Sequence, residues 1–163
     1  MQKNEIKVVI ETPRNSRNKY DYDPETGMYE CASTLPLGMV FPFDFGFVPS
    51  TIGGDGDPID VLVLMDSPSY PGTLVKVRII GVLIATQTEK AGNTVRNDRI
   101  IGVHTKSIEY AQIQDWKDLS KTLRFQIKHF FEAYNDAKGK SFHPQAWRGI
   151  KEAYHLIDKG KVA

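Results

Sequence analysis

The sequence predicts an α+β fold that is mainly β, in which a small barrel or curled sheet carries two C-terminal helices. Glycine and proline divide the first hundred residues into short segments, several of them rich in Val, Ile and Thr, as is typical of strands. In the last third of the chain, apolar residues recur at helical spacing. Strands followed by helices favour this fold class, although periodicity does not separate a barrel from an open sheet.

The strands are predicted from β-branched and apolar runs. The run VLVLM has the continuous apolar character of a strand buried on both faces, and a later strand is long or bent at Gly81. A turn at Pro24 to Gly27 predicts a hairpin, and the aromatic stretch 41–49 predicts a packed loop. The predicted strands are residues 6–12, 19–23, 28–31, 61–65, 73–86 and 99–104.

Two helices are predicted near the C-terminus. Ser120 is a suitable N-cap for the first helix, and Gly160 suits the C′ position of the second. The apolar face of the first comprises Leu123, Ile127, Phe130, Phe131 and Tyr134, and that of the second comprises Ala146, Ile150, Ala153, Tyr154 and Ile157.

Composition limits the function classes. A chain of 163 residues is expected to form one domain, residues 1–163, and a net charge of +1 gives no electrostatic reason to expect binding to nucleic acid or membrane. Cys31 is a lone cysteine, which excludes an internal disulfide and fits a reducing compartment. No apolar run approaches the ~20 residues of a membrane span. We therefore expect a soluble, cytoplasmic protein.

The stretch GGDGDPIDVLVLM places three carboxylates, Asp55, Asp57 and Asp60, directly before an apolar strand. Hard cations such as Mg²⁺, Mn²⁺ and Ca²⁺ prefer such oxygen ligands, whereas a solvated surface turn is the simpler alternative for any one of these acids. A calcium-binding hand is excluded, because the sixth and twelfth positions counted from Asp55 hold Asp60 and Asp66 rather than Gly and Glu.

The segment DGDPIDV, residues 55–61, resembles the signature of the family I soluble inorganic pyrophosphatases. The similarity continues through VVIETP, KYDYDPETG, FPFDFGFVPST, DVLVLMDSPSYPGTLVKVRIIGVL and IKHFFEAY, which together extend along nearly the whole chain. The resemblance implies a five-stranded, OB-like β-barrel flanked by two helices. It also implies hydrolysis of inorganic pyrophosphate with Mg²⁺, or Mn²⁺ as an alternative, in a homo-oligomer that is often a hexamer.

The resemblance also assigns roles to individual residues. Asp57 corresponds to the general base, and Lys19 and Tyr134 correspond to phosphate-contacting, catalytic positions. Arg99 falls at the position of a substrate-binding lysine. The predicted metal ligands are Asp55, Asp60, Glu11, Asp21 and Asn97, and Asp98 if the loop 92–99 is shifted by one residue. Taken one at a time, Glu11, Lys19 and Tyr134 would each be interpreted as a structural residue. All three match family positions in the same alignment that matches the signature, and this agreement favours the functional interpretation.

Several positions depart from the family pattern. A phosphate-binding arginine is replaced by Ser33, and a phosphate-binding lysine by Asn135. Further differences lie at Phe41 and Phe45, which lack tyrosine hydroxyls, and at Gln87 and Asn97, which replace aspartates. Removing one charge-stabilising group costs on the order of 10²- to 10³-fold in rate. Cations from neighbouring loops, at Arg14, Arg17, Arg96 or Arg99, are candidates to restore the lost charge.

These observations leave three hypotheses. The first is a Mg²⁺-dependent pyrophosphatase. The second is a degenerate paralogue with weak or altered activity that binds metal or phosphate, or regulates a partner. The third, nucleic-acid binding by an OB-like barrel, has little support because the aromatic residues of 41–49 are accompanied by acids rather than by a basic groove.

Overall fold

The computed structural model describes residues 5–162, which form nine strands, two α-helices and one short 3₁₀-helix. The strands are β1 (Glu5–Thr12), β2 (Asn18–Asp23), β3 (Met28–Thr34), β4 (Asp44–Phe47), β5 (Asp60–Leu64), β6 (Leu74–Thr88), β7 (Thr94–Arg96), β8 (Arg99–His104) and β9 (Ser141–Arg148). The helices are the 3₁₀-helix Trp116–Asp118, α1 (Lys121–Ala137) and α2 (Ile150–Gly160).

Five strands close into a ring in the order β1–β4–β5–β8–β6, because β1 pairs with both β4 and β6. All pairings in the ring are antiparallel except that between β5 and β8. Strands β7 and β9 extend the sheet along β6, and β2 and β3 form a separate hairpin. The predicted fold class is confirmed, with a closed ring-like sheet in place of a strict barrel.

Strand β5 is buried on both faces, as its continuous apolar run predicts. Leu62 and Leu64 belong to the hydrophobic cluster that includes Phe131 of α1. Val61 and Val63 belong to the cluster that includes Ile157 of α2. Alternation along a strand sends successive side chains to opposite faces, so β5 joins the two halves of the core and fixes the position of the acidic loop that precedes it.

Most predicted elements are present near their expected bounds. Ser120 caps α1 by accepting a hydrogen bond from the Leu123 amide. The hairpin turns at residues 24–27, where Gly27 has a φ of +71°. Strand β6 continues through Gly81 as one long strand, which was one of the two predicted alternatives, and its register against β8 shifts between Ile79 and Gly81.

The stretch 41–49 is not a loop throughout, because residues 44–47 form β4. The interpretation failed because the side chains of Phe43, Asp44 and Phe45 are all buried, so the alternation that marks a half-exposed strand is absent. Asp44 is accommodated in the core because its carboxylate accepts hydrogen bonds from the backbone amides of Arg14 and Ser69.

Two predictions about the C-terminal region were wrong. Ala146 lies in β9, which was not predicted as a strand, and only Phe142 of that strand is buried. Gly160 is the last residue of α2 rather than its C′ residue. A Cβ atom at Gly160 would lie 2.7 Å from Ile59 Cδ1 and 2.8 Å from the Ile52 carbonyl oxygen, so close approach explains this glycine.

Within residues 5–162, no helix is both long and apolar enough to cross a membrane.

Candidate active site

The acidic loop, residues 53–60, connects the chain after β4 to the first residue of β5. The Gly53 amide donates to the Asp57 carbonyl oxygen at 2.7 Å, and Gly56 adopts a φ of +89°, which favours glycine. The Asp55 carboxylate accepts a hydrogen bond from the Asp57 amide at 3.1 Å. This tight turn holds Asp55 partly buried, leaves Asp57 exposed and starts β5 with Asp60.

Burial and mutual repulsion act on the carboxyls of this loop. Burial raises the pKa of Asp60 to about 6, and the negative charges of Asp55 and Asp57 contribute to the increase against the lowering effect of Arg99. Burial is also the main reason that the pKa of Asp55 is raised, with Asp57 adding to it. The three acids therefore lie within electrostatic reach of one another, and a cation bound among them would be favoured.

The predicted site residues of β1 and β2 lie beside this loop. Burial raises the pKa of Glu11 to about 7, and both Asp21 and Asp60 contribute to the increase. Glu11 also accepts a hydrogen bond from the Tyr22 amide at 2.9 Å. Lys19 is 8% exposed and forms an ion pair with Asp21. Lys19 and the carboxylates of Glu11, Asp21 and Asp60 therefore lie close to one another. Together with the acidic loop, these residues are called the acidic site.

Arg99 is an internal cation of the site. Its Nη1 atom donates to Asp60 Oδ2 at 2.6 Å, and its guanidinium lies 4.9 Å from the ring centroid of Phe131 and 5.5 Å from that of Phe142. Because β5 and β8 are parallel and in register from Val61 opposite Ile100, the residues that begin these strands are neighbours. Arg99 is only 3% exposed, so it is less accessible than expected of a substrate-binding side chain.

Asn97 and Asp98 face different partners. Asn97 is buried, accepts a hydrogen bond from Arg99 and donates to Gln87 Oε1 at 2.9 Å. Asp98 accepts from the Ala85 amide and makes a two-point ion pair with Arg96. Asn97 therefore lies in the network of Asp60 and Arg99, whereas both oxygens of Asp98 are engaged with other groups.

Tyr134 is positioned by aromatic residues of α1 and of the segment that precedes β4. Its ring centroid lies 5.5 Å from that of Phe41 and 5.7 Å from that of Phe130. Burial is the main reason that its pKa is raised, and the charges of Asp21, Asp60 and Glu11 contribute. The hydroxyl thus lies within electrostatic range of the acidic site, and Phe41 is fully buried as part of the core.

The carboxylates suit a hard divalent cation by their chemistry. Oxygen donors are the ligands that Mg²⁺ prefers. Partial burial is the main cause of the raised pKa values of Asp55, Asp60 and Glu11, and a nearby cation would favour their charged forms. In residues 5–162 the acids are not gathered into a group of three that could hold a metal ion as arranged. The donor set fits a metal ion, with Arg99 as a competitor for Asp60.

One polar side chain near Tyr134 was missed by the sequence interpretation. Lys138 Nζ lies 3.3 Å from the Tyr134 hydroxyl and 4.6 Å from the ring centroid. The two residues are four positions apart, which is the spacing of neighbours on one helix face. That spacing was the available signal, whereas the family pattern directed the interpretation to Asn135, the position directly after the tyrosine.

Comparison with known proteins identifies the family. The family model described as inorganic pyrophosphatase matches residues 8–162. The chain belongs to the inorganic pyrophosphatase family. It is 41% identical over 154 residues to the inorganic pyrophosphatase of Leifsonia xyli, an alignment that covers 94% of this chain and 91% of the relative. The corresponding enzyme of Streptomyces coelicolor is 38% identical over 156 residues, covering 95% of this chain and 93% of the relative.

Solved structures of the pyrophosphatase family share this fold. The crystal structure of inorganic pyrophosphatase from Thermus thermophilus superposes with a TM-score of 0.86 at 37% identity, covering 96% of this chain and 89% of that one. The pyrophosphatase of Coxiella burnetii gives a TM-score of 0.86 at 35% identity, covering 96% and 93% of the two chains. The resemblance inferred from the signature at residues 55–61 is thereby confirmed along almost the entire chain.

Proposed function

We propose that this protein hydrolyses inorganic pyrophosphate to two phosphates with the help of a divalent cation, Mg²⁺ or alternatively Mn²⁺. The observation that carries the proposal is the convergence of the acidic loop, Glu11, Lys19 and Tyr134 on one region of the fold. Membership of the inorganic pyrophosphatase family along residues 8–162 supports the same reaction.

Asp55, Asp60, Glu11 and Asp21 would hold the cation, with the amide oxygen of Asn97 as a neutral ligand. When bound, the metal supplies positive charge that screens the diphosphate and acidifies a coordinated water. Asp98 is the weaker candidate ligand, because Arg96 and the Ala85 amide already occupy its oxygens. Mg²⁺ is preferred in this proposal because every donor is an oxygen atom.

Asp57 is proposed as the general base. It lies on the exposed side of the acidic loop, where its carboxylate can accept a proton from an attacking water. Lys19 and Tyr134 are proposed to donate hydrogen bonds to the phosphate oxygens and to stabilise the charge that develops on the leaving phosphate. Arg99 is proposed to bind substrate as well, after exchanging its contact with Asp60 for one with a phosphate oxygen.

The proposal is tested by measuring phosphate release from pyrophosphate in Mg²⁺. We expect turnover in the unaltered protein and a loss of about 10²- to 10⁴-fold in Asp57→Asn, which keeps the shape of the side chain and removes the base. Asp66→Asn is a matched control, because Asp66 binds Ser107 and the Ile108 amide away from the acidic loop. Activity no higher than that of Asp57→Asn would refute the proposal.

The second hypothesis, a degenerate paralogue, gains no support from the family match or from the similar proteins. The substitutions at Ser33, Gln87 and Asn135 remain features of this chain, and they concern how its pocket achieves the reaction. Hydrolysis is accordingly the one function proposed.

We also propose a homo-oligomeric assembly, with a hexamer as the expected form. The proposal is supported by the family resemblance and by exposed apolar side chains that association would cover, among them Leu37, Ile108 and Phe125. Sedimentation equilibrium of the purified protein would measure the mass directly, and a single 18.4 kDa species at micromolar concentration would refute the assembly.

A further inference from the structure

A cleft opens between the β2–β3 hairpin and the end of α1, and Tyr134 is one of the residues that line it. Its volume is about 400 Å³. Its polar lining consists of two cationic side chains, Arg17 and Lys138, and three hydroxyl groups, from Ser33, Thr34 and Tyr134. Among the described residues, no Asp or Glu lines it. A cleft with cations, hydroxyl donors and no carboxylate is suited to an anion.

Lys138 is held at this cleft by its position on α1. As the C-cap residue, it follows the last helical turn and donates its backbone amide to the carbonyl oxygens of Asn135 and Asp136. Its ammonium lies 3.3 Å from the Tyr134 hydroxyl and 4.6 Å from the centre of that ring. Lys138 is exposed as a whole residue, although its ammonium is partly buried beside Tyr134, so an incoming anion can reach it from the open side of the cleft.

The residue directly after Tyr134 cannot supply this charge. Asn135 is 1% exposed and its side-chain amide donates to the Phe131 carbonyl oxygen at 2.8 Å, one turn earlier in α1. Its side chain is therefore neutral, buried and satisfied within the helix. A cation near the Tyr134 hydroxyl must come from another position, and Lys138 occupies one.

Arg17 provides the second cation from the opposite wall. Its Nε atom donates to the Leu35 carbonyl oxygen at 2.9 Å, which anchors the side chain beside β3. Across the hairpin, Lys19 is opposite Ser33 and Asn18 is opposite Thr34. Ser33 is neutral, and Arg17 supplies the positive charge on the side of the cleft where Ser33 lies.

The cationic cleft is electrostatically continuous with the acidic site. The pKa of Lys138 is lowered, first by burial of its ammonium and then by the positive charges of Lys140, Lys19 and Arg99. Such crowding of like charges is unfavourable in the free protein and is relieved when a polyanion binds among them. Asp21 opposes the effect, but Lys19 already pairs with it.

We propose that Lys138 and Arg17 bind the phosphate group of the diphosphate that lies away from Asp57, replacing the cations absent at Asn135 and Ser33. This inference rests on the proposed function and names two substrate-binding residues for it. Lys138 binds one oxygen of that phosphate together with the Tyr134 hydroxyl, and Arg17 binds from the hairpin side.

The experiment compares Lys138→Met with Lys138→Arg and with Lys121→Met, a control at the other end of the same helix. Binding of imidodiphosphate, a diphosphate analogue with a P–N–P bridge, is measured by calorimetry in Mg²⁺. We expect binding to weaken about tenfold in Lys138→Met, as for loss of a charge-assisted hydrogen bond. Binding should be nearly unchanged in Lys138→Arg and in Lys121→Met. Arg17→Met should weaken binding to a similar degree.

Steady-state kinetics separates this role from a structural one. In Lys138→Met, an increase in KM that is larger than the decrease in kcat indicates a binding residue. The double variant Lys138→Met with Ser33→Arg should regain affinity, because Ser33 lines the same cleft. Unchanged affinity in both Lys138→Met and Arg17→Met would overturn the inference. Because calorimetry needs no turnover, failure of hydrolysis alone would refute the proposed function and leave this result interpretable.

Discussion

Arg99 Nη1 donates to Asp60 Oδ2 at 2.6 Å, which makes a buried guanidinium the counter-ion of a carboxylate that is proposed to bind metal. The Arg99 side chain is 4% exposed and that of Asp60 is 19% exposed. Removing one partner of a buried pair leaves the other uncompensated. If Asp60 binds a divalent cation as proposed, that cation would compete with Arg99 for the same carboxylate.

Arg99→Met should destabilise the metal-free protein, although the methionine side chain should still pack against Phe131 and Phe142. We expect the free energy of unfolding to fall by about 1–3 kcal/mol, because Asp60 loses its ion pair but keeps some contact with water. Urea unfolding in EDTA measures this loss, and Mg²⁺ should reduce it by occupying the vacated carboxylate. Arg99→Lys, which keeps the charge, should lose less. Equal stability of Arg99→Met and the unaltered protein in EDTA would contradict the pairing.

The raised pKa values of Glu11 and Asp60 predict a pH dependence of stability in the metal-free protein. Their pKa values rise from 4.5 to about 7 and from 3.8 to about 6. Between these unfolded and folded pKa values the folded protein binds more protons than the unfolded chain, so the free energy of unfolding falls as pH rises through this range. Urea unfolding in EDTA at a series of pH values from about 5 to about 8 should show that decline.

Matched variants locate the source of the decline. Glu11→Gln and Asp60→Asn should each flatten it, because the group that takes up the proton is gone. Asp66→Asn should leave the slope over the same pH range unchanged, since hydrogen bonds from Ser107 and the Ile108 amide lower the pKa of Asp66. An unchanged slope in both Glu11→Gln and Asp60→Asn would assign the effect elsewhere.

Local signals in the sequence were sufficient for part of this fold. Ser120 predicted the start of α1 because a hydroxyl before a helical apolar pattern satisfies a free amide. The run at 61–65 predicted β5 because a strand buried on both faces is continuously apolar. The grouping of Asp55, Asp57 and Asp60 was predicted because these three acids lie within six positions of the chain.

Long-range pairings account for what was missed. Asp60 and Arg99 are 39 residues apart, and they meet because β5 pairs in parallel with β8. Strand β9 depends on its pairing with the far half of β6 rather than on an alternating pattern of its own. The burial of Phe41 is likewise set by α1, whose Phe130 and Tyr134 contact it. None of these contacts has a local sequence pattern.

Gly160 is predicted to be required for the contact between α2 and the acidic loop. Alanine is the better helix former, but its Cβ would lie 2.8 Å from the Ile52 carbonyl oxygen, which is backbone and cannot easily move. We expect Gly160→Ala to lower the free energy of unfolding by about 1–2 kcal/mol through overpacking. Gly149→Ala is the control, since no atom outside its chain neighbours lies within 4 Å of the point that its added methyl group would occupy. Gly149 is the N-cap of α2, so this variant should show only the smaller loss due to poorer capping by alanine. Thermal unfolding of the two variants would distinguish them, and equal midpoints would contradict the prediction.

Tyr134→Phe should separate catalysis from packing in the aromatic cluster. The ring that contacts Phe41 and Phe130 is kept, while the hydroxyl beside Lys138 is removed. We expect kcat/KM for pyrophosphate to fall about tenfold, the effect of one lost hydrogen bond to a charged phosphate, with stability nearly unchanged. Tyr154→Phe is the matched control, because the Tyr154 hydroxyl is buried without a hydrogen-bond partner among the described residues. Its removal should leave activity intact and maintain or increase stability. If Tyr134→Phe retained full kcat/KM, the hydroxyl would have no part in binding phosphate, and Lys138 would have to act there without it.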